Sequence, residues 1–248
     1  EEKTNRLKVL EESDTVKTSL LNSVSHELRS PLAAIKASVS SLRGGSVEWK
    51  SSDREELLAT IEEETDHLNF LVGNLLDMTR IESGSLRPNI RLNSISEIAN
   101  SAVQKSQSLL TNHVITLNFP LDLPPVPTDF VMMVQVFVNL ISNSVKYAPQ
   151  HSRIQLTARV IEDQMQVLLC NQSPRIPERD LPRIFEKFYR VTEADKTTGT
   201  GLGLSICKGI ITAHGGTIVA ENLQDGFQFR ILLPMKPRVP LLNQENGI

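Results

Sequence analysis

Two runs of apolar residues, each repeating in steps of three and four, limit what this chain can become. The first is Leu20, Val24, Leu28, Leu32, Ile35, Val39 and Leu42. The second is Leu58, Ile61, Leu68, Val72, Leu75, Met78 and Ile81, with Thr65 completing its stripe. Only a helix brings such positions onto one face. Gly44 and Gly45 end the first run. Ser52-Asp53-Arg54-Glu55 reads as a capping box that opens the second, which fades at Glu82-Ser83-Gly84. Two long helices with a short turn between them make an antiparallel hairpin whose apolar stripe stays wet in isolation. Pairing with a second copy into a four-helix bundle buries it; packing on the second half of the same chain is the alternative. Ahead of the hairpin, Leu7, Leu10 and Leu21 fall on a heptad frame broken by Asp14 and Lys17, the expected end of an incoming helix.

From Leu86 the texture changes to short β-like runs alternating with helical ones. The expected strands are Leu86–Leu92, Val114–Phe119, Arg153–Ile161, Gln164–Cys170, Thr217–Glu221 and Gly226–Leu233. The expected helices are Ser96–Ser108, Asp129–Tyr147, Glu178–Ile184 and one from about Gly203 to His214, with a turn-rich stretch at Pro120–Pro127. This is an α+β layer sandwich, with helices on one face of a mixed sheet. The expected domains are 1–84, 85–235 and a loosely ordered tail at 236–248.

A net charge of −3 over 248 residues gives no footprint for nucleic acid. Cys170 and Cys207 lack metal-ligand spacing and read as reduced core thiols. The longest apolar-looking run, Val131–Ile141, is too short to span a bilayer and contains Gln135 and Asn139. The chain starts without Met. We expect a cytoplasmic fragment of a longer inner-membrane protein, touching the membrane only through segments outside this sequence.

Four constellations carry chemistry. In Ser23-Val24-Ser25-His26-Glu27-Leu28-Arg29-Ser30-Pro31, an imidazole precedes a carboxylate that can take its proton, and Ser30 lies one turn along the same helical face. Pro31 removes a backbone hydrogen bond there, so a bend is expected. On Asn139–Tyr147, Asn139, Asn143 and Lys146 share a face of an otherwise apolar helix. Amide oxygens and a lysine so placed suit Mg²⁺ and phosphate; a solvent-facing polar stripe is the plain alternative. Gly199-Thr200-Gly201-Leu202-Gly203-Leu204 opens a helix with alternate glycines, a backbone cradle for phosphate without P-loop spacing. Between them, Ile184-Phe185-Glu186-Lys187-Phe188-Tyr189-Arg190 and the following Thr192–Thr198 have the texture of a lid.

In this order, the four segments resemble the phospho-acceptor box, asparagine box, phenylalanine box and second glycine box of bacterial sensor histidine kinases. Leu71–Arg80 and Gly209–Gly216 look like the Kdp-type, potassium-responsive branch. The resemblance implies a dimerisation and histidine-phosphotransfer hairpin followed by a Bergerat-type (GHKL) ATP-binding domain. It implies that His26 attacks the γ-phosphate of ATP with Glu27 as base, and that an aspartate on a response-regulator receiver domain then takes the phosphoryl group. Ser30 holds the place from which a side chain orients water for dephosphorylation. Asn143 would bind Mg²⁺. Asn139, Lys146, Tyr147, Asn171, Ile176, Lys187, Tyr189, Arg190, Gly199, Thr200, Gly201, Leu202, Gly203 and Leu204 would line the nucleotide. The nucleophile and the nucleotide then sit on different domains, which makes Glu82–Leu86 the expected hinge.

One box departs from the family. Where the family has Asp-x-Gly-x-Gly, this chain reads Asn171-Gln172-Ser173-Pro174-Arg175, followed by Ile176. Asn171 can accept from the adenine amine but loses the charge-assisted bond. Three readings stay open: a working kinase with lowered nucleotide affinity; a degenerate kinase domain acting mainly as a phosphatase or dimeric interaction module; and another ATPase of the same fold. The last gives no reason for His26 beside Glu27 and has Asn139 where its catalytic carboxylate belongs.

Overall fold

The structure is a computed structural model that describes residue 25 and residues 28–44, 49–191 and 201–236. The expected incoming helix, the turn at 45–48, the Thr192–Thr198 segment and the tail beyond residue 236 lie outside the described residues. Those that are described form two compact units, one ending at Leu76 and one starting at Asp77.

In the first unit, helix α1 covers residues 28–43 and continues through the buried Pro31. Helix α2 runs Ser51–Glu82. It starts one residue ahead of the expected capping box, and that box does not form. The Ser52 hydroxyl donates to the Asp53 carboxylate at 3.0 Å, while the Lys50 carbonyl takes the N–H groups of Asp53 and Arg54. The apolar stripe is only partly covered: Leu32, Val39, Leu58 and Val72 are exposed, as is Leu76 beside it, whereas Ser38 and Asn74 are buried.

The last turns of α2 belong to the second unit. Met78, 3% exposed, and Leu86 join its core, and Ile81 packs against it. Gly84, at φ +62°, closes the helix in the left-handed conformation, so that Ser85 N–H reaches the Arg80 carbonyl at 2.9 Å. The expected hinge at Glu82–Leu86 is therefore a packed helix end. The expected strand Leu86–Leu92 shrinks to β1 (Arg91–Asn93), because its partner is short. That partner, β3 (Val126–Thr128), lies inside the stretch read as turn, and the two make a small antiparallel sheet.

The main sheet has the order β2-β4-β5-β7-β6, from β2 (Val114–Asn118), β4 (Arg153–Ile161), β5 (Gln164–Asn171), β6 (Thr217–Leu223) and β7 (Gly226–Pro234). β2 runs parallel to β4 and every other pair is antiparallel, so the sheet is mixed as expected. Burial alternates along β4 and β7, so one face is covered. The covering helices are α3 (Ile95–Lys105), α4 (Phe130–Tyr147) and α5 (Gly203–Ala213). Phe137, Leu140, Ile154, Leu169, Ile210 and Phe229 are among the side chains that fill the space between helices and sheet. Cys207 is buried there and Cys170 is half-buried on β5. In place of the expected helix at Glu178–Ile184 there are turns and one 3₁₀ turn, Arg183–Phe185.

Candidate functional site

Helix α4 starts where Asp129 caps it, accepting from Met132 N–H at 3.1 Å through one carboxylate oxygen and from Asn89 N–H at 2.8 Å through the other. The backbone N–H of Asp129 donates to His214 Nε2 at 2.9 Å, and His214 Nδ1 donates to the Ile210 carbonyl at 2.8 Å. A buried histidine thus joins the start of α4 to the end of α5. Burial lowers its pKa, against the pull of that carbonyl and of Asp129.

So fixed, α4 carries Asn139 inward at 6% exposure, with Asn143, Lys146 and Tyr147 half-buried further along. Lys146 Nζ lies 5.2 Å from the centre of the Tyr147 ring. The Asn139 amide faces the first residue of α5, where a Cβ on Gly203 would meet Asn139 Oδ1 at 3.3 Å. Asn139 Nδ2 is buried beside the Cys207 thiol, a weak acceptor at best, and has no nitrogen or oxygen partner among the described residues. A buried amide donor beside a helix N-terminus is a costly arrangement that an anionic ligand would satisfy. Leu202 is buried, Gly203 and Leu204 are half-buried, and Ser205 Oγ donates back to the Leu202 carbonyl at 2.8 Å.

The end of β5 comes to the same place. Asn171, 5% exposed, donates from Nδ2 to Ser144 Oγ at 2.7 Å and accepts from Ser173 N–H at 2.9 Å. Ser144 in turn donates to the Leu140 carbonyl at 2.9 Å. Gly226 makes this corner possible. At φ +137°, a side chain there would be strained, and its Cβ would run into the Asn171 carbonyl. Ser173 Oγ is buried without a partner. Ile176, by contrast, is tied to the far end of β6, exchanging hydrogen bonds with the Asn222 side chain at 2.9 and 2.7 Å.

The aromatic segment is anchored separately. Phe185 packs edge-on against Phe229, centroids 6.3 Å apart. Tyr189 donates to Asp180 at 2.8 Å under the Arg183 guanidinium, 4.1 Å from its ring. Its pKa is raised, first by that bond to Asp180. Phe188 has φ +62° and donates its N–H to the Gly201 carbonyl at 3.2 Å. Gly201, at φ +68°, could not carry a Cβ without meeting Phe188 Cα at 2.9 Å. Lys187 pairs with Glu82 at 2.5 Å, and Arg190 is exposed.

The structure thus gathers Asn139, Asn171 and Gly203 around α4, with Asn143, Lys146 and Tyr147 on that helix, and joins Gly201 to the aromatic segment. Ser30 is exposed on α1. His26, Glu27, Gly199 and Thr200 lie outside the described residues. Sequence reasoning missed Ser144, Asp180 and His214. Ser144 alone had a signal, a hydroxyl one residue past Asn143 on an apolar helix. A cavity of about 710 Å³, lined by Met78, Ile81, Phe185, Lys187, Ser205 and Gly209 among others, shares Lys187 with the candidate residues but contains none of the candidate asparagines.

Asn143 offers an amide oxygen, the hard donor that Mg²⁺ takes alongside phosphate oxygens. Among the described residues no three His, Cys, Asp or Glu side chains gather as a metal site. The half-buried Asn143 amide on α4 is a donor that fits a Mg²⁺ shared with phosphate.

Two family profiles match the chain. The His Kinase A (phospho-acceptor) domain matches residues 16–84. The histidine kinase-, DNA gyrase B- and HSP90-like ATPase matches residues 128–237. Sensor protein KdpD of Clostridium acetobutylicum is 36% identical over 231 residues, covering 90% of this chain and 25% of that protein. The chain spans about a quarter of the length of the KdpD proteins it matches. In fold, it is similar to Acinetobacter baumannii histidine kinase AdeS, with TM-score 0.63 and 23% identity, covering 85% of this chain and 98% of that one. It is also similar to histidine kinase ThkA in complex with response regulator protein TrrA, with TM-score 0.60 and 22% identity, covering 94% and 64%.

Proposed function

The chain belongs to the sensor histidine kinases, carrying their phospho-acceptor and ATPase domains in that order, and we propose that it phosphorylates His26 from Mg-ATP. In this reading, an imidazole nitrogen of His26 attacks the γ-phosphorus. The bond to the β,γ-bridging oxygen breaks, ADP leaves, and Glu27 takes the imidazole proton. An aspartate carboxylate of a response-regulator receiver then attacks the phosphohistidine and frees the imidazole. The observation that carries the proposal is the meeting of the buried Asn139 amide, whose Nδ2 has only the weak Cys207 thiol beside it among the described residues, and the Gly203 N-terminus of α5. This arrangement holds phosphate by backbone and amide donors. Mg²⁺, when bound, neutralises phosphate charge. Asn143 would hold it, with Lys146, Tyr147, Tyr189 and Arg190 about the nucleotide and Asn171 at the base.

Several finer points belong to the same proposal. The exposed stripe on α1 and α2 supports a homodimer through the helical hairpin. The ThkA–TrrA complex supports a receiver domain as partner. Likeness to Sensor protein KdpD supports the potassium-responsive branch and a parent protein held at the inner membrane. Among the described residues no helix is long and apolar enough to cross a membrane.

Incubation with γ-labelled ATP and Mg²⁺ tests the central reaction. It is expected to leave acid-labile, base-stable label that is lost in His26→Gln. One observation favours the second reading, a degenerate kinase acting mainly as phosphatase or interaction module. Asn171 already spends an amide hydrogen on Ser144 and a lone pair on Ser173 N–H. No label, together with no nucleotide uptake in calorimetry, would establish that reading instead.

A further inference from the structure

Lys187 is caught between two fixtures. On one side, the next residue, Phe188, is locked to the glycine cradle. Its N–H reaches the Gly201 carbonyl, and its backbone holds a left-handed φ of +62° that a bulky side chain seldom adopts. On the other side, the ammonium meets Glu82 Oε1 at 2.5 Å, and Glu82 is the last residue of α2. Both side chains are about half exposed, at 43% and 54%, and such pairs ordinarily wander.

This one has a fixed base. Asp77, just upstream, accepts from Gln135 Nε2 at 2.8 Å, and Met78 is buried against Ser205. Ile81 lies flush on α5 at Gly209, where a Cβ would meet Ile81 Cδ1 at 2.5 Å. A glycine inside a helix weakens it, so its presence here marks a close approach. The approach brings the end of α2 down onto the helix whose N-terminus is the cradle. The backbone at Glu82 is thereby fixed, and its carboxylate meets Lys187, the residue before the one bonded to Gly201. The Lys187 side chain leaves the backbone next to the Phe188 N–H that meets the Gly201 carbonyl, while its ammonium rests on Glu82.

We propose that Glu82 is a positioning residue for the phosphate end of the nucleotide site. It holds Lys187 away, and a nucleotide must draw that lysine off it to bind fully. The inference rests on the nucleotide reading above and adds a residue to it from outside the four sequence segments. By linkage, whatever loosens the last turn of α2 strengthens nucleotide binding, and nucleotide loosens that turn.

Calorimetric titration of the full chain with a non-hydrolysable ATP analogue and Mg²⁺ tests this, with adenosine as the phosphate-free control. Glu82→Gln should tighten the analogue about two- to fivefold, the range of an exposed ion pair, and leave adenosine binding unchanged. Glu82→Asp should stay near the parent. Lys187→Gln should weaken the analogue, and adding Glu82→Gln to it should change nothing further. An unaltered or weaker analogue affinity in Glu82→Gln overturns the inference alone, as does an equal gain for adenosine. A parent chain that takes up neither compound overturns the nucleotide reading and the inference with it.

Discussion

Asn171 shows how one residue sets the strength of a site without changing its shape. Its amide is held by Ser144 and by Ser173 N–H. Replacing Nδ2 with oxygen keeps the Ser173 bond, and the Ser144 hydroxyl can turn to donate. Asn171→Asp is therefore tolerated and adds charge assistance toward a base amine. It should tighten ATP-analogue binding several-fold by calorimetry; unchanged affinity would mean that the base is read elsewhere. Gly226 works through conformation. Gly226→Ala should destabilise the chain by about 2 kcal/mol, within the range for strained backbone, seen as a lower urea midpoint with unchanged slope. Asn139 and Asn143 could be placed from the sequence, because they sit in an apolar run with helical spacing, whereas Asn171 was picked out only through the family resemblance. Asp180, His214 and Glu82 were not legible. Their roles come from partners 9, 85 and 105 residues away in the chain, and no local pattern marks them.

Among the elements, those with strong periodicity were read almost to the residue: α4, α5, β4, β5 and β7. Three misreadings have separate physical causes. β3 contains Pro127 and looks like a turn, but pairing with β1 overrides local preference. The capping box at Ser52 failed because the helix opens at Ser51, which puts Ser52 inside the first turn rather than at the cap. The helix expected at Glu178–Ile184 gave way to turns held by Asp180, whose carbonyl accepts from Arg183 and Ile184 N–H. The link between α4 and α5 through His214 carries a pH dependence. Burial holds its folded pKa below the ordinary value of 6.5, so the unfolded chain binds a proton that the folded chain refuses. This contribution to stability is whole above that value and is lost as the pH falls below it. Urea unfolding at pH 7.5 and 5.5 should show lower stability at 5.5. His214→Gln should be less stable at 7.5 and show a smaller drop between the two. An identical drop in both proteins would remove His214 as the cause.

For the molecule as a whole, the layer sandwich was readable because strands and helices alternate in period as well as in order. The packing of α2 was not. Its stripe continues from Leu58 to Ile81, although Met78 is in the core of the second unit and Val72 is 48% exposed in the first. One periodic pattern serves two different partners. On the proposed homodimer, which covers the exposed Leu32 and Val72, light scattering should give twice the 27.6 kDa chain mass. Val72→Glu should shift that toward one, through the cost of facing charge into an apolar seam. A mass of one chain for the parent would mean that the stripe is covered otherwise.

The central claim is that an imidazole on the helical hairpin receives phosphorus from a nucleotide held at α4 and α5. Peptide mapping by mass spectrometry, at alkaline pH after incubation with Mg-ATP, tests it most directly. The account predicts one phosphoryl group, on the peptide containing His26, and none in Asn143→Ala. Phosphate released to solution at an equal rate from the parent and from His26→Gln, with no modified peptide, would contradict it.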